Sequence, residues 1–406
     1  MLVMQHSAIA FGTPEYKRIN RAMAFGGFST FALLYCIQPL MPLLARDFGL
    51  TPAQSSLALS LSTGTLAVAL LISSVLSDRF GRKRMMAASM FSGGVLTLLA
   101  AFAHGYAQLL VLRALLGFML AGMPAVAMAY LSEEIDPKSL GSAMGTYIGG
   151  SAFGGMIGRV LASFISDFFD WRIAVGAMGV AGLYAASEFS RSLPASRNFR
   201  PGERGAGALL AGLRAHLTDK GLPWLFLLAF LLMGAFVSMY NYIGYRLLAP
   251  PFGMRQSAVG ALSILYLLGI FSSVWAGKLA DRFGRRNVLW AVMSVMLSGL
   301  LITLLDNVLA IVIGMGLFTF GFFASHSVAS SWVGRRARAP QALASAIYLF
   351  MYYLGSSVIG WVSGYLWSHG GWPGVVLLLG TILAVALAVA WRLRGLVPLN
   401  PLEAQR

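Results

Sequence analysis

Charge, cysteine and acidic side chains are all scarce in this 406-residue chain, and each scarcity excludes something. Only 11% of the residues are charged and 58% are hydrophobic, whereas a soluble domain carries about 25% charged residues. A soluble fold would have too little polar surface to cover itself. The one cysteine, Cys36, rules out a disulfide framework and a cysteine-based metal site. Asp and Glu number 14 against 30 Lys and Arg, and Glu133, Glu134, Glu188 and Asp306 all fall at the ends of apolar blocks. A membrane-embedded enzyme would need paired acidic ligands or a nucleophile beside a base, and the blocks hold no such constellation. The chain is therefore read as a non-enzyme, with no cofactor.

What the chain has in quantity is long uncharged apolar sequence. The blocks 57–76, 222–245 and 375–390 are near or above the roughly 18 to 20 residues that cross a bilayer as helix. Twelve spans are predicted, near 22–45, 54–76, 85–104, 107–131, 141–165, 172–190, 222–245, 257–277, 289–305, 307–330, 342–367 and 373–391. The residues before the first span lack the charged start and cleavage site of a removable signal, so that span is expected to remain. Of the 30 Lys and Arg, 24 lie on one side of the spans, including Arg200, Arg204, Arg338 and Arg406. Arg46, Arg172, Arg246 and Arg255 lie on the other side, and Arg113 and Arg159 lie inside spans. The positive-inside bias then places both termini and the central loop in the cytoplasm. The net charge of +16 reports topology, and nucleic acid is not a partner, since no aromatic-interleaved basic module appears. The expected organisation is a tail 1–21, a six-helix bundle 22–190, a linker 191–221 rich in Pro, Gly and basic residues, a second bundle 222–391 and a tail 392–406.

The two halves repeat. Phe48-Gly49-Leu50 recurs as Phe252-Gly253-Met254, and Asp78-Arg79-Phe80-Gly81-Arg82 recurs as Asp281-Arg282-Phe283-Gly284-Arg285, at offsets of 204 and 203. Gly154 matches Gly355 and Trp171 matches Trp372, both at 201. A duplicated six-span unit accounts for this drift, and parallel repeats of that kind hold substrate near mid-membrane.

The doubled loops, which continue through Lys83-Arg84 and Arg286, resemble the signature of the major facilitator superfamily, G-x-L-a-D-R-x-G-R-[RK]-[RK]. Ser74 stands where that family has glycine, and Asn287 where the last basic residue would fall. Arg113 and Gly117 fit a second family element, with Leu116 where glutamine is common. The stretch Gly150-Ser151-Ala152-Phe153-Gly154-Gly155-Met156-Ile157-Gly158-Arg159 is similar to the antiporter element G-x-x-x-G-P-x-x-G-G, with Gly155 for proline. Within the superfamily the chain resembles the YnfM-type group, to which an arabinose or drug efflux role is attached. That likeness rests on Tyr35-Cys36-Ile37-Gln38-Pro39, Tyr240 to Tyr245, Gly154 to Arg159 and Tyr352 to Ser357. The resemblance implies an all-α membrane protein of twelve transmembrane helices, two six-helix bundles related by a pseudo-twofold repeat. It also implies a monomer in a bacterial-type inner membrane, working by alternating access. In the loops, Asp78, Arg79, Gly81, Arg82, Asp281, Arg282, Gly284 and Arg285 would act as gates.

A charge inside a span costs ~2.5 to 3.5 kcal/mol on insertion scales, which makes Arg113 and Arg159 functional candidates. Both are expected ~9 Å below the outer surface, where they would bind an anionic group or a carbonyl or hydroxyl. The structural alternatives are that Arg113 stitches helices through backbone carbonyls and that Arg159 snorkels outward. Gln38, Asn241, Tyr35, Tyr240 and Tyr242 are candidate contacts for a sugar or amphiphilic substrate, the alternative for the tyrosines being interface anchoring. His326 is the deep group suited to proton coupling, or else a packing hydrogen bonder. Glu133 and Glu134 either form a network with the Asp78 loop or are solvated end charges. The glycines of the fifth and eleventh spans permit close helix approach, static or sliding. The reading is a transporter of a small organic solute, most simply proton-coupled efflux of a sugar or drug-like molecule driven by the proton gradient. The rival is uptake, uniport or exchange of an organic anion.

Overall fold

The computed structural model describes residues 8–198, 206–337 and 341–396. Arg200 and Arg204 of the predicted linker, Arg338, and Arg406 with the tail from 397 lie outside the described residues.

Among the described residues all regular elements are helical, apart from an isolated parallel bridge between Ile9 and Ile135. The first repeat runs α1 (Pro14–Tyr35), a 3-10 turn (Gln38–Leu40), α2 (Met41–Phe48), α3 (Pro52–Phe80), α4 (Arg82–Ala100), α5 (Tyr106–Leu120), α6 (Gly122–Glu134), α7 (Pro137–Phe168) and α8 (Trp171–Ser192). After α9 (Ala206–Leu217) the second runs α10 (Leu222–Leu248), α11 (Gln256–Ala261), a 3-10 turn (Leu262–Leu265), α12 (Tyr266–Phe283), α13 (Arg285–Ile302), α14 (Val308–Arg336) and α15 (Gln341–Arg394).

Ten stretches of described helix are long and apolar enough to cross a membrane. The last of these, Leu343–Arg394, is 52 residues long and breaks at Gly371, whose φ of +57° is not helical, so it supplies two spans. The 19-residue α4 lies outside those ten and completes twelve. α1 starts well before the predicted apolar run because the Thr13 side chain caps it and Pro14 opens it, and its first turns carry Glu15 and Lys17 rather than apolar residues. The predicted linker 191–221 contains the helix α9.

The chain divides into two compact units. The first comprises Met1–Leu44, Leu61–Glu203 and Gln256–Ser263, and the second Ala45–Ser60, Arg204–Arg255 and Ile264–Arg406. α3 therefore begins in one unit and continues in the other. In the first unit, Gln256 donates to the Pro39 carbonyl (2.7 Å) and Ser257 to Asp167 (2.5 Å). In the second, Ser55 shares a hydrogen bond with Tyr245 (2.5 Å) and Ser357 donates to the Ser60 carbonyl (2.7 Å).

Apolar side chains gain little by leaving lipid for another helix, so close backbone packing has to supply the association energy. In the first unit α1 and α7 meet along small residues at every fourth position. A Cβ on Gly150, Gly154 or Gly158 would lie 2.8, 2.1 and 2.7 Å from backbone atoms of Ala24, Phe28 and Ala32. In the second unit a Cβ on Gly355 would lie 2.0 Å from the Phe230 carbonyl oxygen, the same contact one repeat later.

Candidate substrate site and gating loops

α1 stops after Tyr35 because Pro39 has no N–H to give and its ring crowds the carbonyl four residues back. The carbonyls exposed near this break are taken up by a side chain. Arg113 on α5 donates to Leu33 O (3.2 Å) and Leu34 O (2.6 Å) and is buried. The stitching alternative is thus the geometry of Arg113.

Arg159, one turn beyond Gly155 on α7, is also buried and points to the same break. Its Nε donates to Gln38 Oε1 (2.5 Å) and Nη1 to the Gly155 carbonyl (2.6 Å), while the guanidinium carbon lies 4.2 Å from the centre of the Tyr35 ring. Arg159 does not snorkel. Gly155, where proline is common in the antiporter element, supplies the carbonyl that Arg159 uses. Tyr35, Gln38 and Arg159 therefore form one cluster in the first unit, with Arg113 bracing the kink that presents Tyr35 and Gln38.

The other candidates belong to the second unit. Tyr240 shares a hydrogen bond with Thr319 (2.9 Å), and its ring packs on Phe236 and Tyr266. Tyr242 donates to the Gly360 carbonyl (2.7 Å) and is fully buried, which is not the setting of an interface anchor. Asn241 is buried beside Gly360. His326 Nδ1 lies 3.0 Å from Tyr348 Oη, and its ring packs against Phe322 and Tyr352.

Both loops turn on a glycine in the left-handed region, Gly81 at φ +84° and Gly284 at +83°, so one residue suffices to reverse the chain between long helices. The charges beside them are arranged in opposite sense. In the first unit the cation is central: Arg82 bridges Asp78 (2.8 Å) and Glu133 (2.8 Å) and also donates to Ser77. Burial works against its charge, but Glu133 and Asp78 outweigh that and hold the guanidinium above its usual range. In the second unit the anion is central: Asp281 is met by Arg285 (2.9 Å) and Arg335 (3.1 Å). Arg79 is exposed, and Arg282 is exposed with its guanidinium over the Phe283 ring.

Glu134 takes no part in the Asp78 network. Its carboxylate accepts the backbone N–H groups of Arg197 (2.7 Å) and Asn198 (3.0 Å) at the start of the linker. Two residues that sequence reasoning passed over complete the pattern. Arg336 stands 202 positions after Glu134 and makes a double hydrogen bond to Asp219 (2.5 and 3.0 Å) at the other end of the linker. Burial raises the Asp219 pKa, but the bonds from Arg336, Leu222 and Gly221 and the Arg336 charge bring it below its ordinary value. Aligning Glu133-Glu134 with Arg335-Arg336 across the repeat was the available signal.

The sequence profile of the Major Facilitator Superfamily matches residues 23–358 and 242–405. The inner membrane transport protein YnfM of Escherichia coli is 47% identical over 382 residues, covering 94% of this chain and 92% of that protein. An uncharacterized MFS-type transporter of Bacillus subtilis, YybF, is 46% identical over 377 residues, covering 93% of each. Among solved structures, a bacterial homolog of the human lysosomal transporter Spinster, inward-facing and unoccupied, superposes with a TM-score of 0.79 at 14% identity, covering 94% of this chain and 98% of that one.

Proposed function

Since this chain belongs to the Major Facilitator Superfamily, a family that carries small molecules across membranes by alternating access, we propose that it is a proton-coupled efflux transporter of a small organic solute, with both termini cytoplasmic. The observation that carries the reading is the Tyr35–Gln38–Arg159 cluster. A buried guanidinium held by an amide, a carbonyl and a ring face is fixed in orientation, which suits it to grip a carbonyl, hydroxyl or carboxylate of a solute. In this reading Arg159 and Gln38 contact substrate, and Arg113 is a positioning residue that holds the kink. Tyr240, Asn241 and Tyr242 belong to the second unit's share of the pathway. His326, hydrogen-bonded to Tyr348, carries the coupling proton.

A second reading, proton-coupled uptake of an organic anion, draws on the presence of two buried arginines, Arg113 and Arg159, in one unit. One experiment separates the two. Proteoliposomes with an internal pH dye are given sugars, organic anions or cationic drugs, with wild-type protein and with Arg159→Ala, Arg159→Lys and His326→Ala. Substrate-driven proton flux lost in Arg159→Ala and not restored by lysine supports the anchor, since an ammonium cannot hold the same planar contacts. The sign of the pH change gives the direction. Substrate movement with no proton flux, or full flux in His326→Ala, ends the coupling assignment.

A further inference from the structure

An apolar groove of about 270 Å³ opens on the surface of the second unit between α12, α13 and α14. Trp275, Leu279 and Phe283 line one side at a spacing of four, and Val288, Ala291, Val292 and Val295 line the other at helical spacing, with Phe320 behind Trp275. Asn287 closes the end nearest the Gly284 turn, with its amide donating to the Phe283 carbonyl (2.9 Å).

Asn287 is the position where the loop departs from its family pattern by lacking a basic residue. A long cation there would lie across the groove mouth, whereas the amide is short and neutral. The first repeat is built differently. At an offset of 203 it carries Arg84, Ser89 and Ser92 in place of Asn287, Val292 and Val295, so its version of this face is neither uncharged nor wholly apolar.

The rim beside the turn is cationic. Asp281 is neutralised by Arg285 and Arg335. Lys278 and Arg282 are exposed there, and Arg282 lies over the same Phe283 ring that lines the groove, 5.1 Å from its centre, whereas Arg286 turns to the other face of α13 and donates to the Arg394 carbonyl (3.4 Å). An apolar slot in a bilayer-spanning helix pair, ending under a cluster of positive charge, is complementary to a chain with an anionic head.

We propose that this groove binds one acyl chain of an anionic phospholipid, with its phosphate held by Arg282. The occupant is a lipid rather than a soluble anion because the wall is long and apolar while the charge is confined to one end.

The test is lipid retention by the full-length protein in detergent, read by native mass spectrometry after adding phosphatidylglycerol or phosphatidylcholine with identical chains. Wild type is expected to retain one phosphatidylglycerol in preference. Arg282→Gln should lower that retention about fivefold while leaving phosphatidylcholine unchanged, and Arg286→Gln, on the other face of α13, should leave both unchanged. Ala291→Phe, which fills the groove from an exposed position, should lower retention of both lipids. Arg79→Gln, the matching change in the first repeat, should have no effect, and all variants should keep the wild-type melting temperature. Equal retention of the two lipids, an equal loss in Arg79→Gln, displacement by inorganic phosphate alone, or an Ala291→Phe protein that binds as wild type would each overturn the proposal.

Discussion

Replacing Gly154 by alanine adds one methyl group at the tightest point between α1 and α7. Its Cβ would sit 2.1 Å from the Phe28 carbonyl oxygen and 2.5 Å from the Phe28 Cα, where an ordinary contact is 3.4 Å or more. Neither atom belongs to a side chain that can rotate away, so the helices must part by about 1 Å, and the neighbouring contacts of Gly150 and Gly158 loosen with them. Overpacking of this kind costs about 1 to 3 kcal/mol. Gly149, on the same helix, meets nothing within 4 Å; alanine there should gain about 0.5 to 1 kcal/mol of helix propensity. Since that gain is common to both positions, the two chemically identical changes are expected to differ by the overpacking cost of about 1 to 3 kcal/mol, or about 2 to 12 °C in melting temperature for a unit of this size. The assay is melting in detergent followed with a thiol-reactive dye, for which the buried Cys36 on the kink next to α7 is the natural reporter. Gly154→Ala is expected to expose Cys36 at the lower temperature and Gly149→Ala at or above the wild-type one. Melting temperatures within about 1 °C of each other would refute close packing as the source of stability at this interface.

Asp219 has a pKa below its ordinary 3.8, so its bond to Arg336 contributes stability above that pH and loses it as pH falls through the lower folded value. The gap in melting temperature between wild type and Asp219→Asn should therefore be constant from pH 7 to about 5 and close below about 4; a gap that widens on acidification would contradict this. Arg82→Gln leaves the Asp78 and Glu133 carboxylates without their shared cation and should cost about 1 to 3 kcal/mol, an effect that Asp78→Asn/Glu133→Gln in the same chain should largely relieve, as a double-mutant cycle on melting temperature would register. Arg246 holds the Thr303, Leu304 and Leu305 carbonyls at the end of α13 as well as the exposed Asp306. Asp306→Asn is accordingly expected to change stability by less than about 1 kcal/mol, and Arg246→Ala by about 1 to 3 kcal/mol, in denaturation of the detergent-solubilised protein.

Much was decided by the sequence alone. Uncharged runs of about twenty residues have no stable place but a bilayer, so span number followed from hydropathy, including the pair that Gly371 separates inside one long helix. The duplication was legible because a repeat leaves offsets, and the Gly81 and Gly284 turns match in backbone as they do in sequence. That Arg113 and Arg159 are exceptional was equally plain, since a cation inside a span is costly wherever it points. Where each of them points was settled by tertiary structure. Arg113 turns to the Leu33 and Leu34 carbonyls at the end of another helix, and Arg159 to an amide and a ring 121 and 124 positions away in the chain. Neither partner is encoded in local periodicity. The same holds for Glu133 and Glu134, adjacent in sequence but a helical step apart in direction, so that one meets the loop and the other the linker. Charge pattern names the groups that need partners; only packing brings the partners within reach.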